Sequence, residues 1–171
     1  MPLRQGTMTT AEAVRPWLLS VVLAPLIAYI VYGYAAGIYT VFDTASLLIH
    51  EAGHFFFRPF GWALFLLGGS LYQLILPGLF VWTFLRSEYP PGVQVSCVWL
   101  GQNAMNVATY IADARDRSLP LITGDVNSHD WWQLLGAAGL LPYDDLIAAG
   151  VVVIGMVAFT AALLAPRWMW T

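Results

Sequence analysis

The chain has 171 residues, of which 59% are hydrophobic and only 10% charged, and its mean hydropathy is +0.69. This composition excludes a water-soluble domain with a charged surface. The net charge of −3 is too small to indicate a nucleic-acid partner. Cys97 is the only cysteine, which excludes an internal disulfide and a thiolate metal cluster. We therefore expect one integral membrane domain over residues 1–171, an all-α polytopic helix bundle in the lipid bilayer.

Apolar segments, taken in chain order, predict about five membrane helices, four long ones and one short one. The first follows a polar stretch and exceeds a signal-peptide core, so it is expected to be retained. The second opens with Asp43 and Thr44 as capping residues. A polar loop over 113–145 precedes the last span, and a short interfacial helix is predicted inside it. The predicted spans are residues 17–42, 44–58, 62–85, 93–112 and 146–165.

The short second segment raises a question of topology, since it supplies only about 21 Å of helix at 1.5 Å per residue. It either spans a thinned core or re-enters the membrane. If it spans, five of the seven arginines lie on one side, opposite Arg86 and Arg167. The positive-inside rule then favours a spanning helix and a cytoplasmic N-terminus. The absence of lysine and the use of arginine and alanine suggest a GC-rich bacterial genome, and hence the bacterial inner membrane.

The same segment carries the pentapeptide His50-Glu51-Ala52-Gly53-His54. Residues i and i+4 lie on one helix face, so both imidazoles can reach a single Zn²⁺. Glu51 stands beside them as a proton acceptor for water on the metal. One charge at the centre of a membrane helix costs on the order of 2.5–3.5 kcal/mol, which a chain rarely carries without a use for it. The pattern predicts a zinc site within the membrane.

A catalytic zinc usually has three protein ligands and a water, so the pentapeptide needs a third ligand. His129 is the first candidate, because it is the only other histidine and the tryptophans that follow it place it near the membrane surface. The simpler interpretation is a helix-capping turn, in which Ser128 or Asp130 caps the short helix and His129 is exposed. Asp113 and Asp130 are the alternative third ligands.

A polar stripe marks the fourth span, where Asn103, Asn106, Tyr110 and Asp113 follow at intervals of three, four and three residues. Polar side chains in membrane spans face the interior of the bundle. One interpretation is a seam of interhelical hydrogen bonds. The other is that Asn103 or Asn106 orients substrate or stabilises an oxyanion. The two are compatible.

The stretch Leu47-Leu48-Ile49-His50-Glu51-Ala52-Gly53-His54 resembles the first motif of the site-2 protease family, membrane-embedded zinc metallopeptidases. The resemblance implies His50 and His54 as zinc ligands. It implies Glu51 as general base and acid in the cleavage of peptide bonds within or beside the membrane. It also implies an aspartate ligand from a Leu-Asp-Gly stretch of a later span. This chain has no such stretch, and the nearest counterpart is Asn106 followed by Ala112-Asp113-Ala114.

Two functions follow from these observations. The favoured hypothesis is an intramembrane zinc metalloprotease, with Zn²⁺ as cofactor and a membrane protein or peptide as substrate. The alternative is a non-catalytic accessory subunit of a larger membrane protein complex, which retains a structural or vestigial metal site. A di-iron enzyme is disfavoured, because such sites need two Glu-x-x-His pairs and this chain has only three histidines.

Overall fold

The computed structural model describes residues 14–169, and every regular element in this range is helical. The predicted all-helical fold is thereby confirmed. Arg4, which contributes to the predicted orientation, lies outside the described range. Six α-helices, joined by short 3-10 turns, follow in chain order: α1 (Leu18–Ala35), α2 (Val41–Phe57), α3 (Trp62–Arg86), α4 (Pro90–Ala112), α5 (Asp130–Ala137) and α6 (Asp144–Met169).

Three of the described helical stretches are long and apolar enough to cross a membrane: Leu18–Ala35, Trp62–Arg86 and Leu141–Met169. At 1.5 Å per residue, an 18-residue helix is about 27 Å long, close to the roughly 30 Å of a bilayer's hydrocarbon core. Their outward faces carry apolar side chains such as Val21, which is 69% exposed, and Val157, which is 62% exposed. Extended apolar faces of this kind suit hydrocarbon better than water. The fold is consistent with a membrane protein.

Helix α1 ends at Ala35, short of Phe42 where the apolar run ends. Gly37 adopts a left-handed conformation with φ of +66°, which is readily available to glycine. The backbone N–H of Ile38 then donates to the carbonyl of Gly33 at 2.9 Å. This bond is characteristic of the Schellman motif that closes many helices. Hydropathy alone did not predict this end, because the residues beyond it are also apolar.

Helix α2 begins at Val41, a few residues before its predicted start. Thr40 is the N-cap, and its backbone N–H donates to the Asp43 carboxylate at 2.7 Å. Asp43 therefore caps the helix, as predicted, but does so from within the first turn. The helix has 17 residues, so it is about 26 Å long.

Two glycine contacts bring α2 directly against α3. A Cβ atom built on Gly53 would lie 2.8 Å from the carbonyl carbon of Gly68, so the two backbones pack with no room for a side chain. A Cβ atom on Gly69 would lie 2.5 Å from Cε1 of His50. Small residues allow this kind of close helix crossing in membrane bundles. The His50 imidazole consequently lies on the backbone of α3.

Helix α4 is the central helix of the bundle, since 15 of its 23 residues are buried. It packs against α1, α3 and α6. It is not one of the three most apolar helices because it carries buried amides, among them Gln94 and Gln102. Gln94 donates to the carbonyl of Ala162 in α6 at 2.9 Å. The polar side chains of α4 thus face other helices, as expected for a membrane bundle.

The segment between α4 and α6 is folded back onto the bundle. Asp113 accepts hydrogen bonds from the backbone N–H and hydroxyl of Ser118, at 2.9 and 2.6 Å. The Trp131 indole N–H of α5 donates to the Ser70 hydroxyl of α3 at 2.9 Å. The short helix predicted here is confirmed as α5. These contacts hold its first residue, Asp130, against α2 and α3.

Candidate metal centre

His50 lies on the buried face of α2, which is formed by Asp43, Ser46, His50 and Gly53 at intervals of three, four and three residues. The imidazole is buried among α2, α3 and α5. Its Nδ1 atom is 2.8 Å from Oε1 of Gln73, one helical turn after Gly69 in α3. The Gln73 amide nitrogen points elsewhere, to an acceptor on α4. Nδ1 of His50 therefore faces an oxygen acceptor.

His54 lies one turn further along α2, and its ring is fixed in a similar way. Nδ1 is 2.7 Å from the backbone carbonyl oxygen of Phe65. A carbonyl oxygen can only accept a hydrogen bond, so Nδ1 of His54 must donate. In the neutral ring the other nitrogen, Nε2, then carries an unprotonated lone pair.

The Nε2 atoms of both histidines converge on one carboxylate oxygen, Oδ2 of Asp130. The distances are 3.0 Å to His50 and 3.2 Å to His54. The three potential ligand atoms all lie within 4.8 Å of one another. The two imidazole rings meet edge to face, with centroids 4.7 Å apart. A buried group of two histidines and one aspartate that could hold a metal ion is thus present.

The spacing of this group could accommodate a metal ion. Two ligand atoms that each lie about 2.05 Å from a tetrahedral zinc are about 3.3 Å apart, which is close to both Nε2–Oδ2 distances. Acceptor atoms this close repel one another unless they share a positive charge, either protons or a metal cation. In zinc sites the histidine ligands commonly donate their other ring N–H to a carbonyl or carboxylate. The Phe65 carbonyl and the Gln73 amide oxygen are placed for that role.

Asp130 is held in position from α4. Its backbone N–H donates to the Tyr110 hydroxyl at 3.1 Å, and that hydroxyl lies 3.3 Å from Oδ2 of Asp130. Burial raises the pKa of the Asp130 carboxyl, whereas hydrogen bonds with His50 and His54 lower it, and the net direction is below the ordinary value. The carboxylate form, which a metal requires, is therefore favoured.

His129, the leading candidate for third ligand, is placed apart from the group of His50, His54 and Asp130. It is fully buried, whereas the capping interpretation expected it to be exposed. Its Nδ1 atom accepts from the backbone N–H of Trp132 at 3.2 Å, so the imidazole itself caps α5. Burial lowers the pKa of the His129 imidazole. The structure therefore brings Asp130, and not its neighbour, to the pentapeptide.

Asp113, the other candidate ligand, faces the loop and His129. Besides its bonds to Ser118, its Oδ2 accepts from the backbone N–H of Leu119 at 3.1 Å and lies 3.4 Å from Nε2 of His129. Asp113 therefore holds the loop after α4 in place through these hydrogen bonds.

Of the two asparagines of α4, Asn106 bonds to neighbouring helices, whereas Asn103 bonds within α4. Asn103 donates to the carbonyl of Trp99 at 3.0 Å and to Oε1 of Gln102 at 3.2 Å. Asn106 accepts from Gln73 at 2.8 Å and donates to Asp43 at 3.0 Å. The seam interpretation of the polar stripe therefore describes Asn106. Asn106 also connects, through Gln73, to the metal centre.

Glu51, the predicted general base, is exposed. Within residues 14–169 its carboxylate has no hydrogen-bond partner. It precedes His54 by three residues, a spacing that makes side chains neighbours on a helix surface. Its carboxylate is therefore free to contact a molecule that approaches the group from the His54 side.

The groups that orient the two imidazoles were not predicted from the sequence. The Phe65 carbonyl leaves no trace in a sequence. Gln73 could have been recognised, because it is a polar residue in an apolar span, one turn after Gly69, where α3 contacts His50. Tyr110 was seen as part of the stripe, but its contact with Asp130 depends on how the loop folds back.

Comparisons of the chain with protein-family models, with curated proteins and with solved structures found no match.

Proposed function

We propose that this chain is an intramembrane zinc metalloprotease, with His50, His54 and Asp130 as metal ligands and Glu51 as general base and acid. The observation that carries the proposal is the convergence of two imidazole Nε2 atoms on one carboxylate oxygen. Each imidazole has its other nitrogen held by an oxygen acceptor. Three protein ligands, with a fourth position for water, are the usual set of a catalytic zinc.

In this proposal each residue of the site has a separate role in peptide hydrolysis. Zinc in such a site polarises a carbonyl group and lowers the pKa of water to about 7. Glu51 accepts the proton of the attacking water and later donates it to the leaving amine. His50, His54 and Asp130 hold their ligand atoms in a fixed geometry. Tyr110 keeps the Asp130 carboxylate in place.

The resemblance to the site-2 protease family supports the same assignment. That resemblance implies two histidines and one aspartate as ligands, and the group in this chain has the same composition. The aspartate differs in its origin. Asp130 begins the short helix α5, whereas the resemblance implies an aspartate within a later membrane span. The proposal therefore replaces Asp113 and His129 by Asp130 as third ligand.

In the membrane, we place α1, α2, α3, α4 and α6 as five spans with a cytoplasmic N-terminus, in the bacterial inner membrane. His50 and His54 then lie in the cytoplasmic half of α2, on the side of the loop that carries Asp130. The substrate is a membrane protein or peptide whose scissile bond reaches that side. The outward apolar faces of α1 and α6 support this placement in lipid.

The test is the zinc content of the detergent-purified full chain, measured by mass spectrometry under zinc-replete conditions. We expect about one zinc per chain for the wild type, by the usual stoichiometry of such sites. We expect its loss in His50→Ala and in Asp130→Ala. Asp116→Ala is the matched control, since Asp116 is exposed in the same loop, and it should keep the metal.

His129→Asn separates the two possible third ligands. Asparagine is a good N-cap, so this variant should keep α5 folded and retain zinc. Full zinc in Asp130→Ala with loss in His129→Asn would overturn the ligand assignment. A folded wild type that contains no metal would overturn the enzyme proposal. Co-purification in fixed stoichiometry with a membrane complex, again without zinc, would favour the accessory-subunit alternative.

A further inference from the structure

A chain of hydrogen bonds links the first turn of α2 to the metal centre across three helices. Asn106 donates to Oδ1 of Asp43 at 3.0 Å, and Gln73 donates to Oδ1 of Asn106 at 2.8 Å. Oε1 of Gln73 then lies 2.8 Å from Nδ1 of His50. We call these four residues the amide chain. Asp43, Gln73 and His50 are buried, and Asn106 is half-buried.

The direction of the amide chain is set at its Asp43 end. A carboxamide can turn over and exchange its oxygen and nitrogen, so Asn106 and Gln73 alone impose no direction. An ionised carboxylate only accepts, so it selects the nitrogen of Asn106. Asn106 then presents its oxygen to Gln73, and Gln73 presents its oxygen to His50. Because Oε1 of Gln73 can only accept a hydrogen bond, Nδ1 of His50 must carry a proton.

Asp43 is well placed to be the fixed end. The backbone N–H of Thr40 donates to its Oδ2 at 2.7 Å, and the Thr40 hydroxyl donates to the same oxygen at 2.7 Å. The Tyr34 hydroxyl donates to its Oδ1, beside Asn106. A carboxylate buried in an apolar bundle is costly unless its lone pairs are satisfied, and these donors offset that cost.

The position of the ring proton is fixed less directly in His50 than in His54. The Phe65 carbonyl fixes the proton of His54 on Nδ1 directly, because a backbone carbonyl has no alternative role. His50 faces a reversible amide on one side and the Asp130 carboxylate on the other. The Asp130 carboxylate alone would favour a proton on Nε2, which is the atom that must be unprotonated to bind a metal.

We propose that Asp43 is a positioning residue of the metal centre. It acts through Asn106 and Gln73 to hold the proton of His50 on Nδ1, which leaves Nε2 free to bind the metal. The inference rests on the proposed metal ligation by His50. It adds a role for a carboxylate that the sequence marks only as a helix cap.

The first test is zinc affinity by competition with a chelator, in the detergent-purified full chain. In Asp43→Asn the backbone N–H and hydroxyl of Thr40 keep the amide oxygen at the Oδ2 position, so the amide nitrogen faces Asn106 and the amide chain reverses. We expect zinc affinity to fall by about 10- to 100-fold, as for other residues that orient metal ligands. Asp116→Asn is the matched control. It makes the same change at an exposed loop aspartate outside the amide chain, so its zinc affinity should equal that of the wild type.

A double variant tests the direction itself. In Asp43→Asn/Gln73→Glu the carboxylate is transferred to the other end of the amide chain. Position 43 can then donate to Asn106, Asn106 can donate to position 73, and Nδ1–H of His50 again meets an acceptor-only group. We expect zinc affinity to return to within a few-fold of the wild type. If Asp43 had only a structural role, the second substitution would lower zinc affinity further.

The second test reads the tautomer directly. Ring-nitrogen chemical shifts of isotope-labelled, metal-free protein distinguish a proton on Nδ1 from one on Nε2 in the neutral imidazole. We expect Nδ1–H for His50 in the wild type and a shift toward Nε2–H in Asp43→Asn. Should Asp43→Asn fail to fold, Asn106→Leu interrupts the amide chain while leaving the helix cap intact. It should show the same shift.

The outcomes separate this inference from the proposed function. A wild type without zinc would overturn the function, while the tautomer shifts would still report on the amide chain. A zinc-binding wild type with unchanged affinity and tautomer in Asp43→Asn would leave the function standing and overturn the inference. Failure of the double variant to recover affinity would also overturn it.

Discussion

Gly69 provides the space in which the His50 imidazole lies: a Cβ atom on Gly69 would be 2.5 Å from Cε1 of the imidazole. The group of His50, His54 and Asp130 therefore depends on a missing side chain in α3 as much as on the two histidines of α2. The same contact sets the distance between the two helices. It places Gln73, one turn later, within reach of Nδ1 of His50.

Substitution Gly69→Ala should displace the His50 imidazole and abolish zinc binding. An added methyl in a packed contact costs about 1–3 kcal/mol, so we also expect a lower melting temperature. Gly78→Ala, in the same helix, is the control, because a Cβ atom built on Gly78 would have no packing neighbour within 4 Å. That variant should keep its zinc and be slightly more stable, since alanine favours a helix over glycine. Normal zinc content in Gly69→Ala would contradict the packing argument.

Glu51→Gln should retain zinc and lose turnover, because the amide cannot accept a proton but has the same shape. We expect peptide cleavage to fall by about 10²- to 10⁴-fold, the usual contribution of a general base. The measurement is cleavage of a membrane-peptide substrate alongside metal content. Glu88→Gln, an exposed glutamate in the turn between α3 and α4, is the control. Cleavage at the normal rate by the Glu51 variant would rule out the mechanism.

Tyr110→Phe should weaken zinc binding without unfolding the chain. The variant loses the hydroxyl that accepts from the Asp130 backbone and contacts its carboxylate. Loss of such a bond costs about 1 kcal/mol, and loss of an orienting group lowers metal affinity by about 10-fold or more. Tyr143→Phe, at an exposed tyrosine, provides the comparison. If both variants bind zinc equally, Tyr110 does not position Asp130.

Arg115→Gln should destabilise the fold through loss of its ion pair with Asp144. The guanidinium Nε of Arg115 lies 2.6 Å from Oδ1 of Asp144, whose side chain is fully buried. Arg115 itself is exposed, so we expect a lower melting temperature but a smaller loss than for a fully buried pair. The check is thermal unfolding in detergent, with zinc content measured in parallel. Asp145→Asn removes the exposed partner of the same arginine and should lower the melting temperature by less than Arg115→Gln does.

Much of the fold followed from the sequence. Runs of apolar residues predicted α3 and α6 to within a few residues, because long hydrophobic segments have only a helical solution in lipid. The first helix was predicted too long, since hydropathy continues past the left-handed turn at Gly37. The polar stripe of α4 was recognised, but its partners were not. The partners of Asn106 lie on α2 and α3, whose placement depends on the contact of Gly53 with Gly68.

The sequence by itself determined that His50 and His54 lie on one helix face, because a four-residue spacing is a local property of the α-helix. Only the tertiary structure decided between His129 and Asp130. Neighbouring residues at the start of a helix point in different directions, and a rotation of about 100° exchanges them. That rotation is fixed by distant contacts, such as Trp131 with Ser70 and Asp130 with Tyr110. Contacts between segments far apart in the chain have no period that a sequence displays, so the third member of the group became visible only in the folded chain.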